Sequence, residues 1–124
     1  MVQDYFKDIS ATLFKFKEMD FLCDTVLITD DKVLKAHGVL LAAASTAFRV
    51  AYESDNNPGL HCIKLPGYSS ATIEIALHFM YTGKLLLPPI YAKVNELSKL
   101  LTSLNELGLD LQQLNGCEIT FKQW

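Results

Sequence analysis

The sequence has few of the features that mark a secreted, metal-binding or membrane protein. Its cysteines, Cys23, Cys62 and Cys117, are odd in number and form no CxxC pair, which argues against a disulfide framework and a zinc site. Eighteen apolar residues never run together, and the first twenty residues hold no apolar stretch of signal-peptide length. We therefore expect a soluble intracellular chain that works in a reducing compartment and has no membrane partner.

Positive charge is also scarce. Eleven Lys and Arg residues stand against fourteen Asp and Glu residues, a net charge of −3 at pH 7. A domain that binds nucleic acid directly usually carries a basic surface, so we expect none. The glycine patterns GxGxxG and GxxxxGK[ST] are missing as well, and with them the fingerprint phosphate-binding loops.

The composition instead favours one packed domain with a protein partner. The chain has 124 residues, of which 50% are hydrophobic and 20% are charged. A chain of this length can bury a single core without disulfide bonds or metal ions to stabilise it. We treat residues 1–124 as one domain without internal repeats. The apolar fraction exceeds what a monomer of this size usually needs, which suggests a surface that another protein covers.

The first segment predicts an amphipathic helix over residues 4–19. At 3.6 residues per turn its apolar residues fall within an arc of roughly 100°. They are Tyr5, Phe6, Ile9, Leu13 and Phe16, with Asp4, Lys7, Lys15 and Glu18 opposite.

The middle of the chain mixes strands and short helices. A hairpin over 24–37, with its turn at Asp30–Asp31, precedes a helical segment that starts at Val39 and breaks near Ser45. Residues 54–60 predict a surface loop, and "HCIKLPG" predicts a short strand.

The second half predicts mainly helices. One begins after Ser69 or Ser70 and stops at Gly83, and "KLLLPP" follows as a short edge strand. Leucines at helical period from 97 to 114 predict two more helices from Ile90 onwards, separated at Gly108, and we interpret them as core rather than a coiled-coil seam. The tail "CEITFKQW" is a strand or simply the chain end. The order of elements predicts the α+β class, with helices covering a small sheet.

The residues with reactive or ligating side chains do not suggest a catalytic site. His37, His61 and His78 fall in three different elements, and consecutive residues of a strand face opposite sides, so His61 and Cys62 cannot readily share a metal. Cys23 precedes Asp24, whose charge would raise a thiol pKa.

Cys23 and the pair Glu74 and His78 have ordinary structural interpretations. We expect Cys23 to be a small buried apolar residue, and Glu74 and His78, four residues apart, to form a modest surface pair. The chain is thus predicted to be a scaffold, with no enzymatic activity, cofactor or metal.

Four segments in order resemble the signatures of a BTB/POZ domain. They are "FLCDTVLI", "KAHGVLLAAASTAF", "LHFMYTGKL" and "LLTSLNELGLDLQQLNGC", which together span roughly residues 6–117. The resemblance implies a cluster of helices flanked by a short sheet, and an assembly module of a longer protein. An amphipathic helix directly before "LCD" is most similar to that of the zinc-finger transcription factors and of the kelch-type ubiquitin-ligase adaptors.

The resemblance also implies two sites. Its first helix packs against the same helix of a second copy, which assigns Tyr5, Phe6, Ile9, Leu13 and Phe16 to a dimer interface, although Leu13 is alternatively core. Its charged pocket near the dimer boundary corresponds to Asp24, Lys35, Gly38 and Arg49. His37 corresponds to a structural histidine that satisfies backbone groups at the turn.

The chain departs from the family pattern at several positions. Gly38 stands where a lysine or arginine is usual, and Ala47 where a tyrosine is usual. Asp24 must then find Lys35, Arg49, a backbone N–H or the Thr25 hydroxyl, or stay hydrated. We expect Gly38→Arg to restore the cation without disturbing the fold.

Two further departures concern partners. The loop "ESDNNPGL" lacks the apolar-x-Glu motif of cullin-binding adaptors, and "MVQ" is too short for a full swapped strand at the N-terminus. The sequence therefore predicts a homodimerising BTB/POZ domain of a nuclear zinc-finger transcription regulator that binds corepressor peptides. The alternative is a cytoplasmic substrate adaptor of a cullin ubiquitin ligase, for which we expect weak cullin binding at most.

Overall fold

The computed structural model describes residues 2–54, 61–109 and 118–122, except the side chains of residues 2–4, 6 and 118. Helices and two small sheets alternate along the chain, which confirms the predicted α+β class. The elements are α1 (Val2–Glu18), β1 (Thr25–Ile28), β2 (Val33–Ala36), α2 (Gly38–Ala44), α3 (Thr46–Glu53), β3 (His61–Lys64), α4 (Ser70–Thr82), β4 (Lys84–Leu87), α5 (Val94–Glu106) and β5 (Glu118–Phe121).

The first sheet has the strand order β2-β1-β3. β1 and β2 form the predicted antiparallel hairpin, with Thr25 opposite Ala36 and Ile28 opposite Val33. β3 lies parallel to β1 on its other side. Leu27 and Ala36 are fully buried, so the hairpin contributes one face to the core.

The hairpin turn also fixes the start of α4. The Asp31 carboxylate accepts hydrogen bonds from the Ser70 backbone N–H at 2.7 Å and from the Ser70 hydroxyl at 2.6 Å. These bonds lower the pKa of Asp31. Aspartate is well suited to the positive end of a helix because it satisfies N–H groups that lack partners within the helix.

Three predicted helix boundaries, at Ser45, Ser69 and Gly83, are confirmed. Ser45 separates α2 from α3, and its hydroxyl accepts a hydrogen bond from the Phe48 N–H. Ser69 caps α4 through the Thr72 N–H, and Gly83 ends that helix with φ 75°, a left-handed conformation that glycine adopts without strain.

Other predicted boundaries differ. The helix expected from Ile90 begins only at Val94, because Pro89–Ala92 form a separate 3-10 turn that starts at the second of two consecutive prolines, Pro88 and Pro89. The tail is a strand, β5, that runs parallel to β4 in a second sheet. The predicted loop over 54–60, beyond Ser54, and the helix predicted after Gly108 lie outside the described residues.

α4 is the centre of the core. Ile73, Ala76 and Leu77 on this helix are at most 1% exposed, and Leu85 and Leu87 of β4 are fully buried. Among the described elements, α1 packs mainly against α4, and residues such as Tyr5, Ile9 and Thr12 on another side of α1 are exposed. Among the described helices, none has both the length and the apolar character needed to cross a membrane.

Candidate protein-interaction surface

The outer side of α1 is an apolar groove. Tyr5 is 62% exposed and Ile9 is 39% exposed. They border a groove of about 280 Å³ whose remaining lining is Asp8, Thr12, Leu13 and Phe16. Exposed side chains of this size, grouped on one helix face, are typical of a surface that another protein covers.

The inner side of α1 is fixed by different residues. The Phe14 ring packs edge-on against Tyr81 and His78, with centroid distances of 5.8 and 5.0 Å. The Ser10 hydroxyl donates to the Tyr81 carbonyl. This contact places the groove on the solvent side of the helix.

The predicted interface residues divide between these two sides. Tyr5 and Ile9 lie on the open side, and Phe16 is half-buried. Leu13 belongs to both sides, since it lines the groove and also packs against the core. The side chain of Phe6 lies outside the described part of the chain.

The apolar surface continues past the end of α1. Asp20 and Leu22 have φ values of 56° and 60°, so the chain turns sharply there. The Phe21 ring packs edge-on against Phe16 at 4.8 Å. Met19 and Leu22, each 71% exposed, extend the apolar surface beyond the groove.

His37 holds this turn in place. Its Nε2 lies 2.9 Å from the Phe21 carbonyl oxygen, and its Nδ1 lies 2.7 Å from the Tyr81 hydroxyl. A carbonyl oxygen only accepts, so Nε2 carries the proton and Nδ1 accepts from Tyr81. His37 therefore has the backbone-satisfying geometry that the resemblance implied.

Cys23 lies beside His37 without the features of a nucleophile. Its sulfur is 3.8 Å from His37 Nε2, whose hydrogen is directed at a carbonyl oxygen. Burial, and then the charge of Asp20, raise the pKa of the Cys23 thiol. A raised pKa lowers the thiolate fraction that nucleophilic attack requires.

Within one copy of the chain, the charged residues of the predicted pocket do not pair with one another. Asp24 is exposed, and its Oδ1 accepts hydrogen bonds from the Gly38 N–H at 2.7 Å and from the Thr25 hydroxyl at 3.2 Å. Lys35 instead pairs with Asp20 at 2.6 Å. Arg49 is exposed on α3. Asp24 thus takes the uncharged alternatives, while the two candidate cations lie elsewhere.

Gly38 leaves little room for a side chain, which argues against the expectation that Gly38→Arg leaves the fold intact. A Cβ at this position would lie 2.6 Å from the Tyr52 hydroxyl oxygen and 2.9 Å from Thr25 Oγ1. Tyr52 and Thr25 hydrogen-bond each other across the space that the side chain would need. The close approach of α2 to α3 and β1 explains the glycine.

The remaining histidines are structural. His61 packs edge-on against Tyr52 at 4.7 Å. His78 Nδ1 lies 3.2 Å from the Lys84 carbonyl oxygen rather than beside Glu74, so the predicted Glu74–His78 pair is wrong. Across residues 2–54, 61–109 and 118–122, no three His, Cys, Asp or Glu residues are close enough to hold a metal ion.

Sequence reasoning missed two features of this surface. Tyr81 was not identified as the partner of His37, because the residues are 44 positions apart and only the fold brings them together. The segment "MYTG", which contains Tyr81, is the only local signal for this residue, and it indicates the family rather than the contact. Ile119 and Phe121 were likewise not recognised as exposed apolar residues of a strand; they are 45% and 43% exposed.

Comparison with known proteins gives a consistent result. The family model "BTB/POZ domain" matches residues 13–114. Hypermethylated in cancer 2 protein of Homo sapiens is 33% identical over 103 residues, 83% of this chain and 16% of that protein. Zinc finger and BTB domain-containing protein 1 of Mus musculus is 32% identical over 77 residues, 59% of this chain and 10% of that protein.

Solved structures include a similar fold. The BTB domain of zebrafish PATZ1 superposes with a TM-score of 0.73 at 18% identity, over 93% of this chain and 89% of that one. At this identity the likeness concerns the fold alone.

Proposed function

Because the chain belongs to the BTB/POZ domain family, we propose that it is the self-associating interaction module of a transcription regulator. The curated relatives are long proteins, of which the matched segment is 16% or less. One of them is named as a zinc-finger protein. We extend that architecture to this protein, with a nuclear location and no catalytic activity in this domain.

The apolar groove on α1 is the observation that carries the proposal. Tyr5, Ile9 and Phe16 follow one another along the solvent side of one helix. In an isologous dimer the same patch is used by both copies, so two grooves cover each other and remove these side chains from water. Burial of apolar area of this kind is the main driving force for association.

A dimer of this kind supports recruitment of other proteins. The exposed residues beyond α1, Met19, Phe21 and Leu22, lie next to the proposed dimer contact. We propose that corepressor-type peptides bind along this margin. Because the loop after α3 lacks an apolar-x-Glu motif, we expect cullin binding to be weak at most, and sub-micromolar binding of a cullin would contradict this.

Sedimentation of the 124-residue chain tests the dimer. At micromolar concentration we expect at least about twice the monomer mass of 13.9 kDa, and Ile9→Glu should shift the population toward smaller species because it places a charge in the groove. Ala11→Glu is the matched control, since Ala11 is exposed on the same helix but lies outside the groove. A wild-type chain that sediments only at 13.9 kDa would refute the proposed dimer.

A further inference from the structure

Within residues 2–54, 61–109 and 118–122, β5 is an edge strand of the second sheet. The sheet formed by the described residues contains only β4 and β5. The Lys122 N–H donates to the Leu87 carbonyl at 2.7 Å. Since successive peptide groups of a strand point to opposite sides, those of Thr120 also face β4, whereas the N–H and C=O groups of Ile119 and Phe121 face outward.

The side chains at this edge are more apolar than an exposed edge usually is. Ile119 lies level with Leu85, and Phe121 lies level with Leu87, on the same face of the sheet. The two leucines are fully buried, but Ile119 and Phe121 are 45% and 43% exposed. An apolar edge strand with outward N–H and C=O groups is a template for pairing with another strand.

We propose that β5 pairs antiparallel with β5 of a second copy of this chain. The twofold axis passes beside Thr120, so that Ile119 of each copy lies opposite Phe121 of the other. The outward peptide groups of both residues then exchange hydrogen bonds, and the two sheets join into one of four strands. The apolar face formed by Leu85, Leu87, Ile119 and Phe121 becomes continuous across the axis.

The sequence E-I-T-F-K selects this register. Three registers place outward peptide groups opposite each other: Ile119 opposite itself, Phe121 opposite itself, or Ile119 opposite Phe121. The register with Ile119 opposite Phe121 also places residue 118, a glutamate, opposite Lys122 of the second copy. The twofold axis makes this charge pair occur twice in the dimer. Opposite charges across an antiparallel pair are stabilising and like charges are destabilising, so the segment is complementary to itself.

This contact is separate from the proposed α1 dimer. It uses residues 118–122, whereas the groove uses residues 5–16. A chain with two different self-associating surfaces forms assemblies larger than a dimer, either closed or open-ended. The β5 contact would therefore connect α1 dimers to one another, which brings several copies of a regulator together.

Charge exchange tests the pairing on the 124-residue chain. Glu118→Lys places lysines opposite each other and Lys122→Glu places glutamates opposite each other, so each single variant should weaken β5 association by about tenfold. The double variant Glu118→Lys/Lys122→Glu should restore it. An equimolar mixture of the two single variants should associate as well, because each then supplies the charge that the other lacks.

The measurement is made in the Ile9→Glu background, where the α1 contact is weakened and β5 pairing should appear as a monomer–dimer equilibrium in sedimentation. Amide exchange gives the matching local signal: the Ile119 and Phe121 amides should gain protection as concentration rises, while those of Thr120 and Lys122 should not change. Exchange at Ile119 and Phe121 that does not depend on concentration, or association that neither single variant weakens, would overturn the proposal. Either result leaves the α1 dimer standing.

Discussion

The hydroxyl of Tyr81 lies 2.7 Å from Nδ1 of His37 and 3.0 Å from the backbone nitrogen of the same residue. The hydroxyl donates to the ring and accepts from the backbone. Burial raises the pKa of Tyr81 to about 12, so the hydroxyl keeps its proton at neutral pH. Through Nε2 and the Phe21 carbonyl, this pair connects α4 to the turn that follows α1.

Tyr81→Phe should lower the free energy of unfolding by about 1–3 kcal/mol, because it leaves buried groups of His37 without their partner. Urea titration measures the loss. Tyr68→Phe is the control: its hydroxyl donates to Glu106 at the surface, and its loss should cost about 0.5 kcal/mol or less. If the two changes lowered the free energy of unfolding equally, the His37–Tyr81 hydrogen bonds would contribute no more to stability than a surface hydrogen bond does.

Asp31 should make the protein sensitive to acid. Hydrogen bonds from Ser70 hold the pKa of this carboxyl below 3.8, so the bonds contribute fully above that pH and are lost as the pH falls through the lowered pKa. Asp31→Asn should therefore reduce the dependence of stability on pH below about pH 4. Urea midpoints of the wild type and of Asp31→Asn, measured across this range, would show the difference.

Local signals in the sequence predicted the regular elements well. Ser69 and Gly83 mark the ends of α4 by chemistry that acts within a few residues, and the β-branched segment "DTVLIT" marks the first strand of the hairpin. The start of α5 was placed too early, at Ile90, because a leucine period does not show that Pro89–Ala92 form a separate turn.

Contacts between distant residues were harder to predict. The apolar side of α1 was visible from spacing alone, but which of Leu13 and Phe14 faces the core depends on where α4 lies. Lys35 was proposed as a partner of Asp24, yet a sharp turn after α1 brings Asp20 to it instead. Backbone conformations with positive φ at non-glycine residues leave little trace in a sequence.

Gly38→Ala should be strongly destabilising, although it adds only one methyl group. The added methyl would meet Tyr52 and Thr25 at distances below 3.0 Å, and overpacking of this kind costs about 1–3 kcal/mol. Val39→Ala, the next residue of α2 and 82% exposed, should change stability by about 0.5 kcal/mol or less. Thermal unfolding of the two variants gives the comparison. A Gly38→Ala protein as stable as the wild type would show that α2 and α3 separate easily.

Asp24 gives a test of how the first turn of α2 is held. Its Oδ1 accepts the Gly38 N–H at 2.7 Å, at the first residue of that helix, and so takes the place of an N-cap side chain. Asp24→Asn keeps an acceptor oxygen in the same position, so we expect a change of about 0.5 kcal/mol or less. Asp24→Ala removes the acceptor and should cost about 0.5–2 kcal/mol, as for other lost caps.

The two variants separate the roles of charge and hydrogen bonding at this residue. If Asn is nearly neutral and Ala is destabilising in urea titrations, Asp24 acts as a hydrogen-bond acceptor for α2. If Asn is as harmful as Ala, the negative charge itself is needed, either beside the positive end of α2 or opposite a cation of a second copy, because Lys35 is paired with Asp20. Only in the second case should the loss depend on protein concentration, since a charge pair formed between copies is lost when they separate.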